Sequence, residues 1–372
     1  MTVEEAFDQL LVQRLNLTKL CKGECKGDNE KCDICKVSSA HKELAEALVK
    51  KLKIKSSDDE EKNPSTFLTG SYRRHTMNRP PKDIDFFIVL DSHSYKDEEL
   101  DELITPKKLL DKLEKVLREI AEDLGLEVER QEHSVTVIYD DEFSVDIIPA
   151  FETDDGKDFQ IACDTENTYM ISNPKKHVEL IDEVNEKSEK VTGKKRFKRL
   201  VRIIKSLKRD MFNDGDLKLR SFHLELAAAD MFYDGKIYSY ALGLEQFLRK
   251  IQVYLKNPGL SDPANKENFV DDYFLAKSQE ARTKVINKFR ELADMASGAL
   301  EVEKEGNTEA AVRAWGKVVP SMGDFLEEKK VASELGAKIN KGSVFAGSSS
   351  LGVNLSYGER KVVQSASWGE SK

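Results

Sequence analysis

A chain of 372 residues, 39% hydrophobic and 34% charged, has apolar side chains enough for a large core, and its length predicts two lobes. The formal net charge, 59 basic minus 68 acidic residues or −9, argues against a protein that coats nucleic acid through bulk charge, although a local basic groove stays open. No apolar run approaches the roughly 18 residues that span a bilayer, and the acidic start "MTVEEAFDQL" lacks the basic and apolar regions of a signal peptide. The expectation is a cytoplasmic protein with no membrane partner and no stable nucleic-acid partner.

Apolar residues at helical spacing (Val3, Phe7, Leu10, Leu11) predict an opening helix over 3–16. A cysteine-rich loop follows, then a second amphipathic helix over 38–53 with Ser38 or Ser39 as N-cap. The polar run 56–64 reads as a linker. In "GSYRRHTMNRPPKDIDFFIVL" a Gly-Ser pair, Gly70 and Ser71, precedes a strand over 83–90. Alternation puts Asp83 and Asp85 on one face of that strand, at the rim of an otherwise apolar run. Two like charges about 4 Å apart repel by roughly 4 kcal/mol at an effective dielectric near 20, so a positive partner is expected between them.

Thr105 as cap, Pro106 in the first turn, a Leu109, Leu110, Leu113, Leu117, Ile120 face and Gly125 as terminator predict a helix over 106–124. Strands follow at 134–140 and 143–151, joined by a "DDE" turn, and the second carries Asp146 on one face with Ser144 and Ile148. "DDGKD" (154–158) and "NDGD" (213–216) lack the spacing of a calcium loop and read as turns. From about 174 the pattern turns helical, with helices at 194–211, 221–233, 241–255, 269–298 and 308–328: a mixed α/β lobe followed by a helical lobe. The tail 341–372 has 13 Gly or Ser in 32 residues and is expected to be adaptable.

Three carboxylates on adjoining strands behind a Gly-Ser turn suit metal-dependent nucleotidyl transfer, in which one divalent ion holds a donor triphosphate and a second activates the attacking hydroxyl. Gly70 lets backbone approach a phosphate closely, and Ser71 offers a hydroxyl and an amide. A lone Asp-x-Asp would as readily be a solvated strand end; Gly70, Ser71 and Asp146 together favour catalysis.

The strings "GSYRRHTMNRPPKDIDFFIVL" and "VDIIPAF" resemble the Gly-Ser, Asp-x-Asp and distal Asp signature of polymerase-beta-like nucleotidyltransferases. More closely, with "RLVRIIKSLKRD", "LRSFHLELAAADMF", "NPGLSDPANKENFVDD" and "AVRAWGKVV", the chain resembles the CD-NTases, bacterial cyclic-oligonucleotide synthases related to cyclic GMP-AMP synthase, over residues 38–330. His75 departs from the pattern, since many relatives have glycine there. The resemblance implies a bilobed α+β fold, a nucleotidyltransferase lobe of mixed sheet with flanking helices plus an α-helical C-terminal lobe. It divides the chain into N-terminal helices with the Cys cluster (1–60), a catalytic core (61–173), a helical lobe (174–335) and the tail (336–372). It also implies Asp83, Asp85 and Asp146 as ligands of Mg²⁺ or Mn²⁺, Gly70 and Ser71 at the donor phosphates, and Lys205 with Ser221 at the triphosphate. ATP and other NTPs would be the substrates, the setting antiphage signalling of the CBASS type, and regulatory proteins of the same operon the partners.

The sequence supports part of this independently. Nine of the sixteen residues 194–209 are Lys or Arg, and Lys198, Arg202, Lys205 and Arg209 share one stripe opposite Phe197, Val201 and Ile204, which can face a polyphosphate or simply solvent. Ser221 at a helix start can face an anion or act as an N-cap. A tRNA-tailing or oligoadenylate-like polymerase would need a large basic surface, against which the net charge speaks. A non-catalytic nucleotide sensor would not need all three acids.

Cys21, Cys25, Cys32 and Cys35 cluster in "CKGECKGDNEKCDIC", and in a reducing compartment favour a zinc site over disulfides, with idle or redox-active thiols as the alternative. Cys163 reads as structural, and His133, His177 and His223 have no evident partner in the sequence.

Overall fold

The computed structural model describes residues 1–18, 32–55, 65–97, 101–139, 143–213 and 215–340, of which 334–340 only as helix. Cys21, Cys25, the linker 56–64, the turn 140–142 and the tail 341–372 lie outside the described residues.

Seven strands form one sheet: β1 (Thr66–Leu68), β2 (Ile84–Val89), β3 (Glu127–Arg130), β4 (Val135–Tyr139), β5 (Phe143–Glu152), β6 (Phe159–Cys163) and β7 (Thr168–Ser172). The order is β1-β2-β5-β4-β3, with β6 paired to β5 and β7 to β6. Only β2 and β5 run parallel, and their register sets Asp85 opposite Asp146. Strand alternation sends Ile84, Phe86 and Ile88 into a core shared with helices α2 (Asp33–Lys51) and α4 (Pro106–Leu124). Phe87 and Val89, on the face that also carries Asp85, join Ile148, Ala150, Phe159 and Ile161 in a smaller cluster.

The second core is helical. It gathers α1 (Val3–Leu10), α5 (Pro174–Thr192), α6 (Phe197–Met211), α7 (Ser221–Met231), α8 (Tyr240–Lys256), α10 (Gln279–Lys304) and α11 (Thr308–Val318) around Phe7, Phe197, Phe247, Phe289 and Trp315. The short turns α3 (Gly70–Arg73) and α9 (Asp272–Leu275) and the terminal α12 (Pro320–Asn340) complete the helices. Residues 1–60 thus contribute α1 to the helical core and α2 to the sheet core.

Helix α4 spans the expected residues, with Thr105 Oγ1 accepting from Lys108 N and Gly125 ending it at φ 70°. Elsewhere local chemistry moves the boundaries. Helix α2 begins five residues earlier than Ser38, because Asp33 exchanges hydrogen bonds with Thr18 (Thr18 N to Asp33 Oδ2 2.7 Å, Asp33 N to Thr18 Oγ1 3.0 Å). The helix expected over 269–298 breaks into α9 and α10, the latter capped by Ser278, and that expected over 308–328 breaks before Pro320, which has no N–H to donate. The three histidines have structural partners: His133 Nδ1 meets Ala162 O at 2.8 Å, His177 Nε2 meets Asp262 Oδ1 at 2.5 Å, and His223 Nδ1 meets Tyr273 Oη at 3.0 Å.

Candidate active site

Strand β2 enters the sheet just after Asp83, which is exposed at the rim, while Asp85 and Asp146 are half-buried on facing positions of neighbouring strands roughly 4.8 Å apart. Asp146 Oδ1 accepts from Thr136 Oγ1 on β4 at 2.5 Å, and Ser144 Oγ donates to Asp83 Oδ1 at 3.4 Å. Burial pushes the Asp85 carboxyl up to about 6; Arg74 holds it down, Asp83 pushes it further up and Lys205 opposes that. Burial, then the charge of Asp85, pushes Asp146 up to about 7 despite the Thr136 hydrogen bond. Two raised carboxyls on facing strands mark a place short of positive charge.

Among the described residues no three His, Cys, Asp or Glu side chains are already drawn together as a metal-holding group. The aspartates adjoin, but Asp146 is turned to Thr136 and Asp83 to Ser144. Their chemistry fits a hard cation such as Mg²⁺ or Mn²⁺, which takes one or two carboxylates and keeps several waters.

The Gly-Ser loop is fastened to the strand that carries the acid. Thr69 N donates to Asp85 O at 2.8 Å, and Thr76 N (3.0 Å) and Met77 N (3.1 Å) return to Ser71 O. Gly70 sits at φ 60°, and a Cβ there would fall 1.6 Å from Asp85 Oδ2. Both the left-handed backbone and the contact require glycine. His75, at φ 57°, occupies the same region at a steric cost.

The helical lobe answers with α6 and α7. The basic stripe of α6 does not act as one surface. Lys198 pairs with Asp182, Arg202 Nη1 donates to Asn16 Oδ1 at 2.6 Å, and Arg209 Nη2 reaches Ser206 and Ser321, each at 3.3 Å. Only Lys205 is directed to the acids: its charge acts on Asp85, and its Nζ lies 4.0 Å from Glu225 Oε2. Burial pulls the Lys205 ammonium down to about 8, against the pull of Glu225. Ser221 is the first residue of α7, with Arg220 in the cap position, so it supplies an N-terminal amide and hydroxyl without capping.

Residues 1–185 match the family of the Second Messenger Oligonucleotide or Dinucleotide Synthetase domain. That match contains Gly70, Ser71 and all three aspartates. The chain belongs to the CD-NTases. Its fold is that of solved structures from the same group. The chain is similar to Escherichia coli MS115-1 CdnC solved with ATP (20% identity, TM-score 0.61, covering 86% of this chain and 98% of that one). It is also similar to Vibrio cholerae DncV in its apo form (15% identity, TM-score 0.51, 86% and 80%). A comparison with curated proteins finds no match. Membership makes this CD-NTase a nucleotidyltransferase of second-messenger oligonucleotide synthesis.

Sequence reading missed three residues that the fold brings to this CD-NTase centre. Arg74 and Thr76, just past Gly70, meet Glu225 from α7. A signal existed: Glu225 falls among apolar residues in "FHLELAAADMF", within the run 223–229 that is buried throughout, where an acid persists only if paired. Cys32 occupies the N-cap position of α2, with Cys35 one turn on.

Proposed function

We propose that this CD-NTase condenses nucleoside triphosphates, ATP among them, with a 3′ or 2′ hydroxyl of one attacking the α-phosphorus of another and pyrophosphate leaving, to give a cyclic or linear oligonucleotide. The single observation that carries this reading is the register of β2 and β5, which sets Asp85 against Asp146 beside the rim residue Asp83. Mg²⁺ or Mn²⁺, when bound, would neutralise triphosphate charge and lower the pKa of the attacking hydroxyl. Asp83, Asp85 and Asp146 would hold the ions. Gly70, lacking a side chain, leaves room for the Asp85 carboxylate, and its backbone, with the hydroxyl and amide of Ser71, would meet the donor phosphates. Lys205 would meet the donor triphosphate, Ser221 would add the N-terminus of α7, and Arg202, one turn before Lys205 and bonded to Asn16, would add positive charge nearby.

Antiphage signalling, in which the product activates a separate effector, is the setting that the family resemblance supports. CdnC has been solved in a complex, CdnC:HORMA-deltaN; regulatory proteins of the same operon are the corresponding proposal here. Among the described residues no helix is long and apolar enough to cross a membrane.

The test is incubation of the full chain with labelled ATP, GTP, CTP and UTP and Mg²⁺ or Mn²⁺, followed by separation of phosphatase-resistant products. A discrete resistant oligonucleotide is expected. Extension of added RNA would make the protein a tailing polymerase instead, and nucleotide binding with no pyrophosphate release would make it a sensor.

A further inference from the structure

Glu225 is 1% exposed on α7 and joins three elements. Arg74, 6% exposed, donates to it twice (Nε to Oε1 2.8 Å, Nη2 to Oε2 3.4 Å), and Thr76 Oγ1 donates to Oε1 at 2.8 Å. Lys205 Nζ approaches Oε2 only to 4.0 Å, an ion pair without a hydrogen bond. The carboxylate is thus fully engaged by the loop after Gly70, while the lysine is attracted to it with its three donors unspent. Arg74 is itself fixed: its backbone N donates to Gly70 O at 3.1 Å, and its guanidinium lies 5.2 Å over the Phe222 ring. Burial alone would push the Glu225 carboxyl up, but Arg74 and Lys205, with the hydrogen bonds of Arg74 and Thr76, hold it below the ordinary range. The cluster keeps two cations against one anion in a buried place next to Asp85.

We propose that Glu225 is a positioning residue: it aims Lys205 at the donor phosphates and locks the Gly70–Thr76 loop to the helical lobe, so that both phosphate-contacting elements keep one spacing. This rests on the reading of Lys205 as a triphosphate contact. A carboxylate shared between a bidentate arginine and a second, looser cation has the chemistry for the task, since the arginine fixes its orientation and the lysine stays available to a phosphate.

The test measures the Kd of non-hydrolysable ATP and GTP analogues with Mg²⁺, the kcat for pyrophosphate release, and melting temperatures. The variants are Glu225→Gln, Lys205→Ala, the pair combined, and Thr76→Val. Glu225→Gln should weaken analogue binding about 10-fold and change kcat less, whereas in the Lys205→Ala background it should add less than about 2-fold. Thr76→Val keeps the charge and removes one hydrogen bond, so it should weaken binding about 2- to 3-fold, again only when Lys205 is present, and it carries the test if Glu225→Gln does not fold. Equal factors in both backgrounds would show that Glu225 acts on the fold alone and overturn the proposal, as would unchanged binding in Glu225→Gln. Wild-type binding in Lys205→Ala overturns it as well, while product formation by the wild-type chain keeps the nucleotidyltransferase reading standing. A wild-type chain that binds the analogues but makes no product fails that reading and leaves the binding cycle to decide this one.

Discussion

At the rim of the sheet Asp83, Asp85 and Asp146 adjoin with no cation hydrogen-bonded to them among the described residues, and two of the three carboxyls are pushed up. At the junction of α6 and α7 Glu225, more deeply buried, is held down because Arg74 and Thr76 bond it and Lys205 stands by. The two regions lie on either side of Gly70 and solve opposite problems. The buried charge of Glu225 is offset by its partners, whereas charge remains in surplus beside it, negative at the rim and positive at Lys205. A nucleoside triphosphate with its cation would cancel both.

Substitutions separate the two regions. Gly70→Ala should have the largest effect, since the new Cβ would stand 1.6 Å from Asp85 Oδ2. A displacement of about 1 Å at a reacting centre costs on the order of 100-fold in rate, so steady-state kinetics should show at least that loss, and near-normal turnover would mean that the loop does not constrain Asp85.

Asp146→Asn should instead stabilise the fold as it removes activity. The folded carboxyl is raised from 3.8 to about 7, so the folded state binds its proton more tightly than the unfolded one; its ionisation cost is absent below about pH 4 and complete above about pH 7. Melting curves should show a gain of a few degrees at pH 8 that disappears at pH 4, at ~2–4 °C per kcal/mol. A loss of stability at pH 8 would show that Asp146 is a satisfied structural acid.

Lys205→Met should give a smaller gain, because Glu225 already offsets part of the cost. The ammonium is lowered from 10.5 to about 8, so its burial cost is full below pH 8 and fades as pH rises toward 10.5. Thermal melts at pH 7 and pH 10 should show a gain at the first only, and an equal gain at both would remove charge as its cause.

The cysteine cluster should matter least to catalysis. Elemental analysis is expected to give about one zinc per chain, lost in Cys32→Ser with Cys35→Ser while turnover changes little. Metal-free, folded wild-type protein would leave these as ordinary thiols.

What the sequence discloses follows the same division. Asp83, Asp85 and Asp146 are legible because strand alternation fixes their face, and α4 because cap, Pro106 and Gly125 agree with its apolar stripe. Helix α5 carried a readable signal that went unused, Asn173 as cap, Pro174 at the first position and Gly193 at the end. The strands β1, β3, β6 and β7 are three to five residues long and too short to show a period. The roles on α6 were not legible from spacing: one stripe holds Lys198, Arg202, Lys205 and Arg209, and only partners distant in sequence, Asp182, Asn16 and Glu225, determine which cation faces the acids.

The central claim is that the rim carboxylates hold the cation that turns bound triphosphate into leaving group and product. Pyrophosphate release from NTPs with Mg²⁺, followed in wild-type protein and in Asp83→Asn with Asp85→Asn at matched melting temperature, tests it directly. The account predicts release by the wild-type chain that chelator abolishes, and background release by the variant with its fold intact or more stable. Release by the variant at about a tenth of the wild-type rate or more would contradict it.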